Sequence, residues 1–294
     1  MGFLTDWIVD FIRDMLINGI FGNLGITDNL GGLFDEVNNR VGEIATTVGT
    51  PPAAWQPGVF TLIRNLSETV ILPIAGIVIT FLAAYELINL IVDKNNLNEV
   101  DAWIFFKWTF KTFIAVLILS NTFNIVMAVF DVAQHVVNNA GGLIAGSTAV
   151  TVDMMADFEA SLWGMHPGHL LGLWVQTLFI GLTMRALNIV IFIIVYGRMI
   201  EIFLYTSLAP IPLATLSNRE FGGMGQNYFK SLCAIGLQGF LILVCVGIYA
   251  VLVQSIATSG NPIMAVWTVV GYTVLLCFTL FKTGSAAKSI LGAH

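Results

Sequence analysis

Five long apolar stretches constrain this chain more than any other feature. They cover residues 70–92, 104–133, 170–197, 229–253 and 263–281. Each offers about 19 residues or more, enough for a helix to cross a hydrocarbon core of about 30 Å. In lipid every backbone polar group must be satisfied within the structure, which leaves helices or closed barrels. The stretches are too long for barrel strands. The expected fold class is therefore all-α, a polytopic membrane helical bundle of about five transmembrane helices with an amphipathic N-terminal helical arm. Composition agrees. Of the 294 residues 57% are apolar and only 10% charged, against roughly 25% charged in a soluble domain. Mean hydropathy is +0.86.

Residues 1–56 are expected to form an extracytoplasmic arm, and 57–294 a transmembrane domain with an outside loop at 134–169. The first residues, MGFLTDWIVD, lack a basic segment and a long apolar core, so the spans themselves are expected to direct insertion. In residues 3–16 the apolar side chains Phe3, Leu4, Trp7, Ile8, Phe11, Ile12, Met15 and Leu16 recur at helical spacing, opposite Asp6, Asp10, Arg13 and Asp14. Such a helix can lie on a membrane or pack on protein, and its acidic face favours protein. Leu30, Phe34, Val37, Val41, Ile44 and Val48 then form a short heptad seam. It fits a helix folded against the bundle or a self-association helix. Thr50-Pro51-Pro52 ends it.

Residues 199–216, MIEIFLYTSLAPIPLATL, are ambiguous, being apolar yet broken by Pro210 and Pro212. Charge bears on the choice. With five spans, one side of the membrane collects Lys94, Lys107, Lys111, Arg198, Arg219, Lys230, Lys282 and Lys288, while the loops at 134–169 and 255–261 contain no Lys or Arg. The positive-inside rule then places the N-terminus outside and the C-terminus in the cytoplasm. The outside loop carries Asp153, Asp157, Glu159 and Trp163 among many apolar residues, and 151–163 has helical character. A compact cap with an adhesive face is expected there.

Arg185 stands near the middle of the third span, where a charge must face protein or water. It is a candidate pore residue, or the partner of a carboxylate such as Asp131. Asn124, Asn188 and Gln238 are candidate intramembrane polar residues that serve a pore or bond helices together. Glu86 can pair with a lysine at the inner end of the first span. His166-Pro167-Gly168-His169 has two histidines without a third ligand and is better read as the start of the third span. Gly222-Gly223-Met224-Gly225 follows no strand and reads as a flexible turn. Cys233, Cys245 and Cys277 lie in apolar stretches and read as buried hydrophobes. No nucleophile–base pair, phosphate loop or zinc-binding helix motif stands out. No catalytic residue, metal or cofactor is therefore expected. The net charge of −6 and the lack of a basic run argue against an open nucleic-acid-binding surface.

Within RMIEIFLYTSLAPIPLATLSNREFGGMGQNYFKSLCAIGLQGFLILVCVG, an apolar helix ends in Ala209-Pro210-Ile211-Pro212-Leu213-Ala214. A polar segment, Phe229-Lys230 and a span containing Leu237-Gln238-Gly239 follow. This pattern resembles the VirB6/TrbL-like polytopic membrane proteins of type IV secretion and conjugation systems, over roughly residues 60–285. The resemblance implies an oligomeric subunit of a translocation channel in the bacterial cytoplasmic (inner) membrane. Its implied partners are copies of itself, other channel subunits, ATPases that supply the energy, lipid, and transient single-stranded DNA or nucleoprotein cargo. The loop at 134–169 would be the part associated with cargo. The rival readings are a small-solute transporter or channel with Arg185 foremost, a membrane-embedded enzyme with an essential carboxylate or serine, and a scaffold without a lumen.

Overall fold

The computed structural model describes residues 2–19, 25–92, 102–145, 159–256 and 262–293. Among these residues there are helices and turns but no strand. The arm forms α1 (Gly2–Asn18) and α2 (Ile26–Val48), followed by the short α3 (Pro52–Trp55). The first span is α4 (Pro57–Leu66), a π-helical turn (Ser67–Ile71) and α5 (Leu72–Val92), without interruption. Then come α6 (Ala102–Ser120), α7 (Thr122–Ala145), α8 (Pro167–Leu208), the one-turn α9 (Pro210–Ala214), α10 (Gly222–Ile256) and α11 (Pro262–Leu291). Among the described residues five helices are long and apolar enough to cross a membrane: Pro57–Val92, Ala102–Ser120, Pro167–Leu208, Gly222–Ser255 and Trp267–Leu291. The chain is a multi-pass helical membrane protein.

The helices outrun the apolar stretches that announce them. At 1.5 Å per residue, the 42 residues of α8 make a rod of roughly 63 Å, about twice a hydrocarbon core. Pro73 lies inside the first span, whose helix begins at Pro57. Its ring lacks an N–H and crowds the carbonyl four residues back, which an α-helix tolerates badly. The π turn just before it absorbs the misfit, with the Leu72 N–H donating to the Ser67 carbonyl. The second apolar stretch is cut at Asn121, whose N–H turns back to the Ile118 carbonyl while its side-chain amide donates to the Leu117 carbonyl. The stretch expected as one span through Ala133 is thus α6 plus the start of α7. The expected outside loop is itself largely helical where described. Residues 134–145 complete α7, residues 159–163 are helical, and α8 begins at Pro167.

The chain divides into two compact units. The first comprises Met1–Val48, Asn139–Val195 and Ile242–Lys282. Here α1 packs on α2, with Leu16, Ile17, Ile26, Ile44 and Val48 buried. Thr27 donates to the Ile17 carbonyl, and Asn29 donates to Thr177 of α8 at 3.3 Å. Asn29 thus ties the start of α2 to the third span, and the seam is buried at its other end, at Ile44 and Val48. On α1, Trp7 stacks on Phe11 and both remain exposed. Tyr249 of α10 and Thr273 of α11 share a buried hydrogen bond of 2.8 Å.

The second unit comprises Gly49–Asn138, Tyr196–Leu241 and Thr283–His294. Its core gathers Val126 and Phe130 of α7, Met199 and Ile202 of α8, Ala209 and Leu213, and Leu232 and Ile235 of α10. A second cluster joins Ala75 and Ile79 of α5, Ala115 and Leu119 of α6, and Ala214. Both clusters meet at α9. Between helices in lipid there is little hydrophobic driving force, so cohesion comes from close packing and hydrogen bonds. Lys111 of α6 pairs with Glu86 of α5, as the sequence suggested, and Trp108 donates to the Ala83 carbonyl at 3.1 Å.

A candidate site at the proline break after the third span

Pro210 and Pro212 have no N–H to donate, so the ladder of α8 stops and the chain tightens. The Ala209 N–H reaches only the Thr206 carbonyl, one residue short of an α-helical bond. The carbonyl of Tyr205 is released and accepts the Tyr228 hydroxyl of α10 at 2.6 Å, while the two rings stack. Below the prolines, Thr215 donates to the Pro212 carbonyl at 2.7 Å and accepts the Gly225 N–H at 3.1 Å. Asn218 accepts the N–H groups of Glu220 and Phe221 on its side chain and that of Gly222 on its carbonyl, and so shapes the turn that leads into α10. Glu220 in turn accepts a bond from Tyr85 of α5 at 2.9 Å.

This hairpin holds α8 against α10 in register. Arg198, one of the most buried charged residues at 4% exposure, donates through Nε to the Ile235 carbonyl at 3.3 Å. Its guanidinium lies over Gly239, where a Cβ would come within 2.6 Å of Nη2. One turn on, Glu201 pairs with Lys288 of α11 at 3.3 Å, and Lys288 also lies over the Tyr205 ring. Gln238 is buried, with its amide against Gly284 of α11. Arg198, Glu201, Lys288, Gln238 and Tyr228 therefore form a polar seam inside an apolar unit. Neither the seam nor the break presents a nucleophile beside a base. Among the described residues no three His, Cys, Asp or Glu side chains gather as metal ligands.

The family described as TrbL/VirB6 plasmid conjugal transfer like protein matches residues 37–210, more than half of the chain. This chain belongs to the TrbL/VirB6 conjugal transfer family. No curated protein and no solved structure matches it. The family is a component of conjugal transfer machinery and associates with the other subunits of that machinery. The matched region begins inside α2 and ends at Pro210, so it takes in part of the arm and stops at the proline break.

In this TrbL/VirB6 protein the candidate residues named from sequence do not converge. Gln238 joins the polar seam of the second unit. Asn124 is exposed in the same unit, on a small polar pocket formed where the π turn meets the break at Asn121, with Ser67, Glu68 and Thr122. Arg185 and Asn188 belong to the first unit. Asn188 is buried. Arg185 is exposed and enters no ion pair among the described residues, nor does Asp131. Glu159 and Trp163 are exposed on the helical turn at 159–163, whose Leu162 is fully buried. Asp153 and Asp157 lie outside the described residues. His166 accepts the Gly168 N–H on Nδ1 at 3.3 Å, fitting the reading of this segment as the start of α8. Gly222-Gly223-Met224-Gly225 is no slack turn. It opens α10, and a Cβ at Gly225 would meet the Pro212 carbonyl oxygen at 2.6 Å.

Sequence reasoning underrated Arg198, counting it only among the charges collected on the cytoplasmic side of the membrane. The signal lay in its spacing to Glu201, which puts both on one helix face, and in the glycine at 239.

Proposed function

We propose that this protein is an oligomeric subunit of the inner-membrane channel or scaffold of a conjugation machine, helping DNA or nucleoprotein to pass without catalysing a reaction itself. Family membership supplies the machine. Arg185 carries the step to an assembled conduit. A cation on the exposed face of a long apolar helix is costly against lipid and stable against water or a neighbouring subunit. Copies of the chain would therefore arrange α8 so that Arg185 faces a lumen or an interface. Asn124 and its polar pocket would add a second hydrated position. The arm at 1–56 is extracytoplasmic in this proposal, the C-terminus is cytoplasmic, and partner ATPases supply the energy.

The loop at 134–169 would be the cargo side. Glu159 repels a polyanion, so contact would run through Trp163 and neighbouring apolar groups. In-frame deletion of the gene, with the intact gene restored in trans, tests the reading. Loss of donor-to-recipient DNA transfer with full rescue is the expected outcome. Unchanged transfer would sink it and favour a small-solute transporter.

A further inference from the structure

An apolar groove of about 640 Å³ runs along the second unit between α7 and α10. That volume lies within the range of about 300–1,000 Å³ typical of small-molecule pockets. Its walls extend from Ile125 to Val136 on α7 and from Phe229 to Phe240 on α10. Its floor is low where the helices touch, since a Cβ on Gly236 would stand 2.8 Å from that of Ala133. Val132, Val136 and Phe229 are exposed along it, so it opens sideways rather than into the core.

We propose that this groove binds one acyl chain of an anionic phospholipid, with its phosphate at Lys230. Two observations choose this occupant. Eleven residues of rise make each wall roughly 16 Å long, about half a hydrocarbon core of about 30 Å. That depth suits one leaflet's acyl chain and is too short to seat a spanning helix from a second copy. The second observation is charge. Lys230 follows Phe229 at one end of the groove and shares a helix stripe with Cys233 and Leu237, which line it. It is exposed and enters no ion pair among the described residues. An apolar trough of this length with an exposed lysine next to Phe229, the lining residue at one end, is complementary to a lipid that carries a negative headgroup.

Cys233 is a reporter already inside the groove, and Cys245 and Cys277 of the first unit are internal references. The full chain is reconstituted in nanodiscs of dioleoyl phosphatidylglycerol or dioleoyl phosphatidylcholine, which share acyl chains and differ in headgroup. N-ethylmaleimide alkylation of each cysteine is followed by peptide mass spectrometry. Alkylation of Cys233 is expected to be about fivefold slower in the anionic lipid. Lys230→Gln removes that difference, and the reference cysteines show none. Ala128→Cys, on the facing wall, repeats the measurement where Cys233 does not react. Equal rates in the two lipids overturn the proposal, as does a headgroup effect that survives Lys230→Gln. Cys233–Cys233 cross-linking with equal protection would instead assign the groove to a second copy.

Discussion

A methyl group at residue 225 would compete for space with the carbonyl oxygen of Pro212, a backbone atom held from below by Thr215. Gly225→Ala is therefore expected to destabilise the second unit by about 1–3 kcal/mol, the usual cost of overpacking. A lowered apparent unfolding midpoint of the purified protein in detergent checks it. Gly223→Ala, with open space around it, serves as the control. Tyr228→Phe removes the donor that satisfies the Tyr205 carbonyl and should cost about 1–3 kcal/mol, because a half-buried acceptor is left without its partner. The same thermal measurement reads it. If the variant melts with the parent protein, water or another donor serves that carbonyl. Both effects rest on atoms far apart in sequence. The motif Ala209-Pro210-Ile211-Pro212 announces a break, but it does not say that a tyrosine hydroxyl 23 residues from Tyr205 closes it. Arg185 was conspicuous because its charge interrupts an apolar run. Arg198 was not, because it sits among other polar groups near the end of its stretch.

At the scale of elements, hydropathy located all five spanning helices and missed most of their ends. Apolar composition reports which solvent a residue meets, while the hydrogen-bond ladder of a helix continues into water or headgroups at no cost. Hence α8 runs on to Leu208 and α10 starts at Gly222. Interruptions inside apolar runs were the other omission. The break at Asn121 depends on a side-chain amide taking over a backbone role, and the π turn depends on Pro73, whose effect falls several residues upstream. The hairpin from Leu208 to Gly222 bears directly on topology. A cysteine placed at Ser217 is expected to react with a membrane-impermeant maleimide only after the membrane is opened. Labelling of intact cells at Ser217 would require an additional crossing within 199–216 and would invert the orientation of every later helix.

For the whole molecule, the exposed cation on α8 separates a lone subunit from an assembly. Arg185→Glu is expected to leave membrane insertion and yield unchanged and to lower DNA transfer at least tenfold, by placing an anion where cargo or a neighbour meets the helix. Transfer frequency beside a membrane-fraction immunoblot measures both. Wild-type transfer by the variant would put Arg185 at the headgroups instead, where either charge is tolerated. The π turn has a different kind of consequence. From Ser67 to Ile71 the first helix carries one residue more than its α-helical ladder requires. Loss of a single codon there shortens nothing essential; it rotates α4 by about 100° against α5. Phe60 and Arg64, which both rest on Phe123, would then swing away from it together. The angular phase of α4 is thus written in one surplus residue, a quantity that insertions and deletions can change and substitutions cannot.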